Sequence, residues 1–132
     1  MRLQTTTYEI KSEKISSPVR IAFVSDLHNS LFGKDQSELK NAIDGAKPDI
    51  VVFGGDLADK TQDDLPENSY ILVKYLVKRY PCFYTIGNHE NARGDSARIK
   101  QQMSDFGVTV LEGNGTVVNI KGNETEICGI YD

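Results

Sequence analysis

At 132 residues the chain is long enough for one domain with a buried core, and its 39% hydrophobic and 26% charged content is that of an ordinary globular protein. A formal net charge of −4 excludes electrostatic attraction to nucleic acid or to an anionic membrane as the main basis of partnership, so a phosphate-bearing ligand would need local positive charge, most simply metal ions. No apolar run approaches the length of a membrane span, the opening residues Arg2 to Thr7 lack a signal-peptide core, and Cys82 and Cys128 read as buried free thiols, so the expected setting is reducing and cytoplasmic.

Residues 7–11 alternate apolar and polar side chains, the pattern of an edge strand with one wet face, and residues 12–18 are the loop that follows. The run Val19-Arg20-Ile21-Ala22-Phe23-Val24-Ser25 is a buried-strand pattern that ends in Asp26-Leu27-His28, and Phe23 belongs to the core by that pattern. An irregular loop over residues 29–33 comes next, and its Phe32 is placed to wall a substrate pocket. Asp35 can cap a helix that carries Leu39, Ala42, Ile43 and Ala46 at helical spacing and ends near Gly45 and Pro48.

The second buried run, Ile50-Val51-Val52-Phe53, closes with Gly54-Gly55 and delivers Asp56. Strand, helix and strand make a βαβ unit whose crossover should be right-handed. A polar, acidic loop over residues 57–67 leads to a helix over residues 66–80, with Leu72, Val73, Leu76 and Tyr80 on one side and Pro81 as its stop. The third buried run, Cys82-Phe83-Tyr84-Thr85-Ile86, ends in Gly87-Asn88-His89-Glu90. A helix from Ser96 places Ile99, Met103 and Phe106 on one face, Gly107 is its C-cap, and residues 108–111 form a strand. Two further strands, over residues 116–120 and 125–130, flank a turn at Lys121-Gly122-Asn123-Glu124. The expected fold is α/β, a βαβαβα core with a terminal β-hairpin, as a single domain over residues 1–132.

Three buried strands thus end in residue types that ligate metals. In an open parallel sheet the ligand crevice lies beyond the carboxyl ends of the strands, so the three tips should bring Asp26, His28, Asp56, Asn88 and His89 together. Asp26 and His28 can share one ion, Asp56 can bridge two ions with its two oxygens, and Asn88 offers a neutral carbonyl ligand. Such mixed oxygen and nitrogen donors suit manganese, iron, zinc or nickel better than calcium. His89, next to Asn88, is then free to act as a general acid, and Asp59 can fix its tautomer by accepting a hydrogen bond.

Asp-Leu-His at 26–28, Gly-Gly-Asp at 54–56 and Gly-Asn-His-Glu at 87–90, in this order and each after a buried strand, resemble the calcineurin-like metallophosphoesterase superfamily. The resemblance implies the first part of that family's β-sandwich flanked by helices, and hydrolysis of a phosphate mono- or diester at a pair of divalent metal ions. It assigns Asp26 and His28 to the first metal, Asp56 to the bridge, Asn88 to the second metal, His89 to protonation of the leaving oxygen and Asp59 to the orientation of His89. Lys60 stands where the protein phosphatase branch has an arginine and Asn29 where it has a glycine, so the likeness is to small bacterial phosphoesterases. The substrate would be a phosphorylated small molecule or a phosphodiester.

The family completes its metal shells with three later histidines, whereas the two histidines of this chain are His28 and His89. The resemblance therefore covers the amino-terminal part of the family domain and implies at most a partial site here. The alternative from a different class is a truncated, non-catalytic metal-binding or interaction module. A nucleotide-binding α/β domain is opposed by the lack of a glycine-rich strand-to-helix loop. The terminal hairpin carries Val117, Val118, Ile120, Ile127 and Ile130, which would favour a homo-oligomer formed through the carboxyl-terminal strands.

Overall fold

Val-rich runs without alternation are buried on both faces, and such strands form parallel sheets. A computed structural model, which describes residues 2–59, 66–85 and 96–129, shows this arrangement. Strands β1 (Ile21–Val24), β2 (Ile50–Phe53), β3 (Cys82–Tyr84) and β4 (Thr109–Val110) pair in parallel in the order β1-β2-β3-β4. The registers Val24↔Phe53 and Phe53↔Tyr84 bring the carboxyl ends of the first three strands level with one another.

Helices α1 (Ser37–Ala46), α2 (Glu67–Leu76) and α3 (Ser96–Phe106) supply Leu39, Ile43, Leu72, Val73, Leu76, Ile99 and Met103 to one core with Val51, Phe53, Cys82 and Tyr84 of the sheet. At roughly 1.5–3 kcal/mol for each fully buried large aliphatic side chain, this core is the main source of stability. On the opposite face an antiparallel hairpin, β5 (Gly115–Ile120) and β6 (Asn123–Cys128), sets Val118, Ile120 and Ile127 against Ile50, Phe83 and Leu111. Its two-residue turn has Lys121 at φ 51° and Gly122 at φ 82°, the double left-handed geometry that matches the twist of a hairpin. Asn123 is buried and ties the hairpin to the loop before β1, accepting from the Ser16 N–H at 2.9 Å and from its hydroxyl at 2.8 Å.

Several expectations are corrected. Residues 7–11 form no strand: Tyr8 and Ile10 are exposed, and two apolar side chains on one short stretch bury too little area to hold a register. Phe23 is 67% exposed rather than core. Period two sends Ala22 and Val24 toward the helices and Ile21 and Phe23 to the other face, where the hairpin packs over β2, β3 and β4. The Phe23 ring instead rests beside Gly54, where a Cβ would lie 2.3 Å from its Cζ. Cys128 is exposed on the outer row of β6, whereas Cys82 is buried and burial pushes its thiol up to about 12, which leaves it inert.

Asp35 does not cap α1. It takes φ 52° in a 3-10 turn, Lys34–Gln36, and Gln36 stands at the cap position without a capping bond. The Gln36 side chain is drawn inward instead: Oε1 accepts from the Phe32 N–H at 2.8 Å, and Nε2 donates to the carbonyls of Ser30 at 2.7 Å and Asn68 at 2.9 Å. Phe32 is packed among Leu27, Leu39 and Ile43, so it is a core residue and not a pocket wall.

Candidate metal centre

Beyond Val24 and Phe53 the two segments stay zipped although the strands have ended. The Gly54 N–H donates to Val24 O at 2.8 Å, the Asp26 N–H to Gly55 O at 3.2 Å, the His28 N–H to Asp56 O at 2.9 Å and the Asn29 N–H to Leu57 O at 2.7 Å. The tips of β1 and β2 therefore form one interlocked unit. Within it Asp26 stands at φ 56°, His28 at φ 49°, Asn29 at φ 59° and Asp56 at φ 55°.

Each of these residues occupies the left-handed region, which costs an ordinary side chain roughly 1–2 kcal/mol and is visited most readily, glycine aside, by Asn, Asp and His. Their clustering at two neighbouring tips is strain held in place by the surrounding hydrogen bonds, the pattern of functional sites. Sequence reading could not see it. The glycine it does signal, Gly55 at φ 102°, is only the hinge that lets Asp56 turn.

Two of the expected ligands are brought together. His28 Nε2 lies 3.8 Å from Asp26 Oδ1, and the Asp26 side chain is 66% exposed against 27% for His28. Two donors that each sit about 2.1 Å from a metal can be at most about 4.2 Å apart, so one divalent ion fits between them. Asp26 Oδ2 also accepts from the Ser25 hydroxyl at 3.0 Å, which helps to orient the carboxylate. Asp56 enters the same unit through its backbone and is half-buried. Asp59, three residues on, is also half-buried.

The third tip is reached only in part. The Thr85 N–H donates to Phe53 O at 3.1 Å and carries β3 alongside β2, while Asn88 and His89 lie outside the described residues. Among the described residues no group of three or more His, Cys, Asp or Glu side chains is placed to hold a metal ion. Asp26 and His28 are the pair whose spacing suits one shared ion, and Asp56 stands on the adjoining tip.

Polar residues that sequence reading missed support these tips from α2. Asn29 Oδ1 accepts from the N–H groups of Asn68 at 2.8 Å and Ser69 at 3.4 Å, and Asn68 Nδ2 donates to Asn29 O at 3.0 Å. The Ser69 hydroxyl donates to Leu57 O at 2.7 Å. One signal was available in the sequence: a helix that opens after Pro66 has no capping side chain of its own, so its cap must come from elsewhere.

A family model described as calcineurin-like phosphoesterase matches residues 19–129. Two Bacillus subtilis proteins are similar to nearly the whole chain. The uncharacterised protein YpbG is 30% identical over 135 residues, which cover 98% of this chain and 48% of that protein. The uncharacterised metallophosphoesterase YkuE is 28% identical over 137 residues, with the same shares covered. The chain thus spans about half the length of these curated relatives. No solved structure matches it significantly. Among the described residues no helix is long and apolar enough to cross a membrane.

Proposed function

The chain belongs to the calcineurin-like phosphoesterase family, and from that premise we propose that it carries the first half of a metal-dependent phosphoesterase site acting on a phosphate mono- or diester, in a phosphorylated small molecule or a phosphodiester. The observation that carries the proposal is the strained tip unit, in which Asp26, His28 and Asp56 all stand in the left-handed region on adjacent, interlocked strand ends. In this reading Asp26, His28 and Asp56 hold a divalent ion, and Asp56 with Asn88 serves a second. The donor mix favours manganese, iron, zinc or nickel. When bound, such ions supply positive charge for the phosphate oxygens and activate water as the nucleophile.

The chain's own contribution is positional and protonic. Ser25 orients the Asp26 carboxylate, and the backbone ladder from residues 26–29 to 55–57 fixes the spacing of the two tips. His89 donates a proton to the leaving oxygen, and Asp59 orients its imidazole. A cytoplasmic setting belongs to the same proposal, consistent with two cysteines that are both free thiols.

His89→Ala tests the assignment. It should lower kcat far more than metal content, with a smaller effect on nitrophenyl esters, whose leaving groups need little protonation. Metal lost in parallel with activity would show that His89 is a ligand instead. The second reading, a non-catalytic metal-binding or interaction module, rests on the chain's spanning about half the length of its relatives. It predicts metal uptake without turnover.

A further inference from the structure

We infer that Asn29, together with the first turn of α2, is the positioning device of the metal centre; this rests on the reading of Asp26, His28 and Asp56 as ligands given above. The first N–H groups of any helix lack intrahelical partners. α2 begins after Pro66, which contributes no capping bond. The acceptor comes instead from a residue about forty positions earlier in the chain. Asn29 Oδ1 takes the N–H groups of Asn68 and Ser69, the second and third residues of the helix, and Asn68 Nδ2 returns a bond to the Asn29 carbonyl. This is the reciprocal logic of a capping box, built across a tertiary contact.

The ring closes on the other tip. Leu57 O accepts both the Asn29 N–H at 2.7 Å and the Ser69 hydroxyl at 2.7 Å. The turn after His28, the turn after Asp56 and the rigid start of α2 are thereby locked to one another. Asparagine meets both demands at this position. It tolerates φ 59° and it carries a short side-chain acceptor. Glycine would meet only the first. The N–H groups of Asn68 and Ser69 are also occupied by this cap, so they serve the protein's own loop and not an anionic ligand.

Groups that orient ligands without touching the metal typically change its affinity by 10–100-fold when removed. Asn29→Gly keeps the backbone conformation accessible and removes the cap. In the full 132-residue chain it should weaken manganese binding, read from the loss of the free-ion electron paramagnetic resonance signal, by about tenfold at a temperature where the variant is fully folded. Ser69→Ala, which leaves both tips intact and removes only the strut to Leu57, should weaken it severalfold. Hydrogen exchange provides a readout that needs no metal. The amide protons of His28 and Asn29, bonded to Asp56 and Leu57, should exchange at least about tenfold faster in Asn29→Gly, while those of β2 stay protected. Manganese affinity equal to the wild type in both variants would overturn the inference and leave the proposed function standing. A wild type that takes up no manganese would remove the proposed function. The positioning inference would then be decided by exchange, and unchanged His28 and Asn29 rates would overturn it.

Discussion

Replacing Gln36 with alanine tests whether the loop between the metal tip and α1 is held by one buried amide. Gln36 is fully buried and makes three bonds, accepting from Phe32 N–H and donating to the carbonyls of Ser30 and Asn68. Truncation orphans all three partners. Phe32 is buried, so its N–H loses its partner where water does not reach it, at about 1–3 kcal/mol. Ser30 and Asn68 are half-buried, so each carbonyl partly rehydrates, and about 0.5 kcal/mol apiece is reasonable. The sum is about 3 kcal/mol, a large fraction of the 5–15 kcal/mol typical of a domain. Urea unfolding followed by circular dichroism should therefore show a midpoint lowered by more than about 1 M at unchanged slope. Gln36→Glu should fare no better, because a carboxylate would face two carbonyl oxygens. A Gln36→Ala midpoint within about 0.3 M of the wild type would refute the assignment of Gln36 as the bond between the loop and α2.

The contact between α1 and the end of α2 should titrate at both extremes of pH. Hydrogen bonds from Tyr75 and Tyr80 hold the Asp44 carboxyl below its usual range. Its stabilisation is complete above the unfolded carboxylate value near 4 and is lost as pH falls through the lower folded value, so Asp44→Asn should flatten the acid side of a plot of melting temperature against pH. Tyr80 is pushed up to about 12, chiefly by the same bond, so its share is present below about pH 10 and is lost between 10 and 12. Tyr80→Phe should reduce the alkaline slope to the share of Tyr75, whose hydroxyl is also raised by its bond to Asp44, and an unchanged slope would exclude the Tyr80 bond. Self-association is also expected. The inner row of the hairpin is covered by the sheet, so association through the carboxyl-terminal strands would draw on the outer row of the hairpin, where Val117 remains exposed. Light scattering coupled to size exclusion that finds a monomer at moderate concentration would refute it.

The sheet was legible because Ile50 to Phe53 admit no helical period and end in paired glycines, and because the same design recurs before Asp26 and after Cys82. The tips were legible as residue types: Asp26, His28 and Asp56 do lie on adjacent strand ends. Local pattern could not reveal how the tips are supported. The bonds from Asn29 to Asn68 and Ser69 join residues 39 and 40 positions apart, and a single asparagine after a histidine gives no hint of its partner. Nor does alternation say which face of a strand is covered, which is why Phe23 was misplaced. Gln36 competed with Asp35 for the start of α1 and prevailed, because one buried and two part-buried bonds outweigh one exposed cap. Asn88 and His89, the most specific part of the third motif, lie outside the described residues, so their roles rest on resemblance.

The central claim, that Asp26, His28 and Asp56 form a metal centre, is tested most directly by titrating manganese or zinc into the chain by calorimetry beside an Asp56→Asn variant. One ion should bind weakly to the wild type, with the heat lost in Asp56→Asn while the melting temperature of the metal-free chain is unchanged. Heat no greater than that of the variant would contradict it.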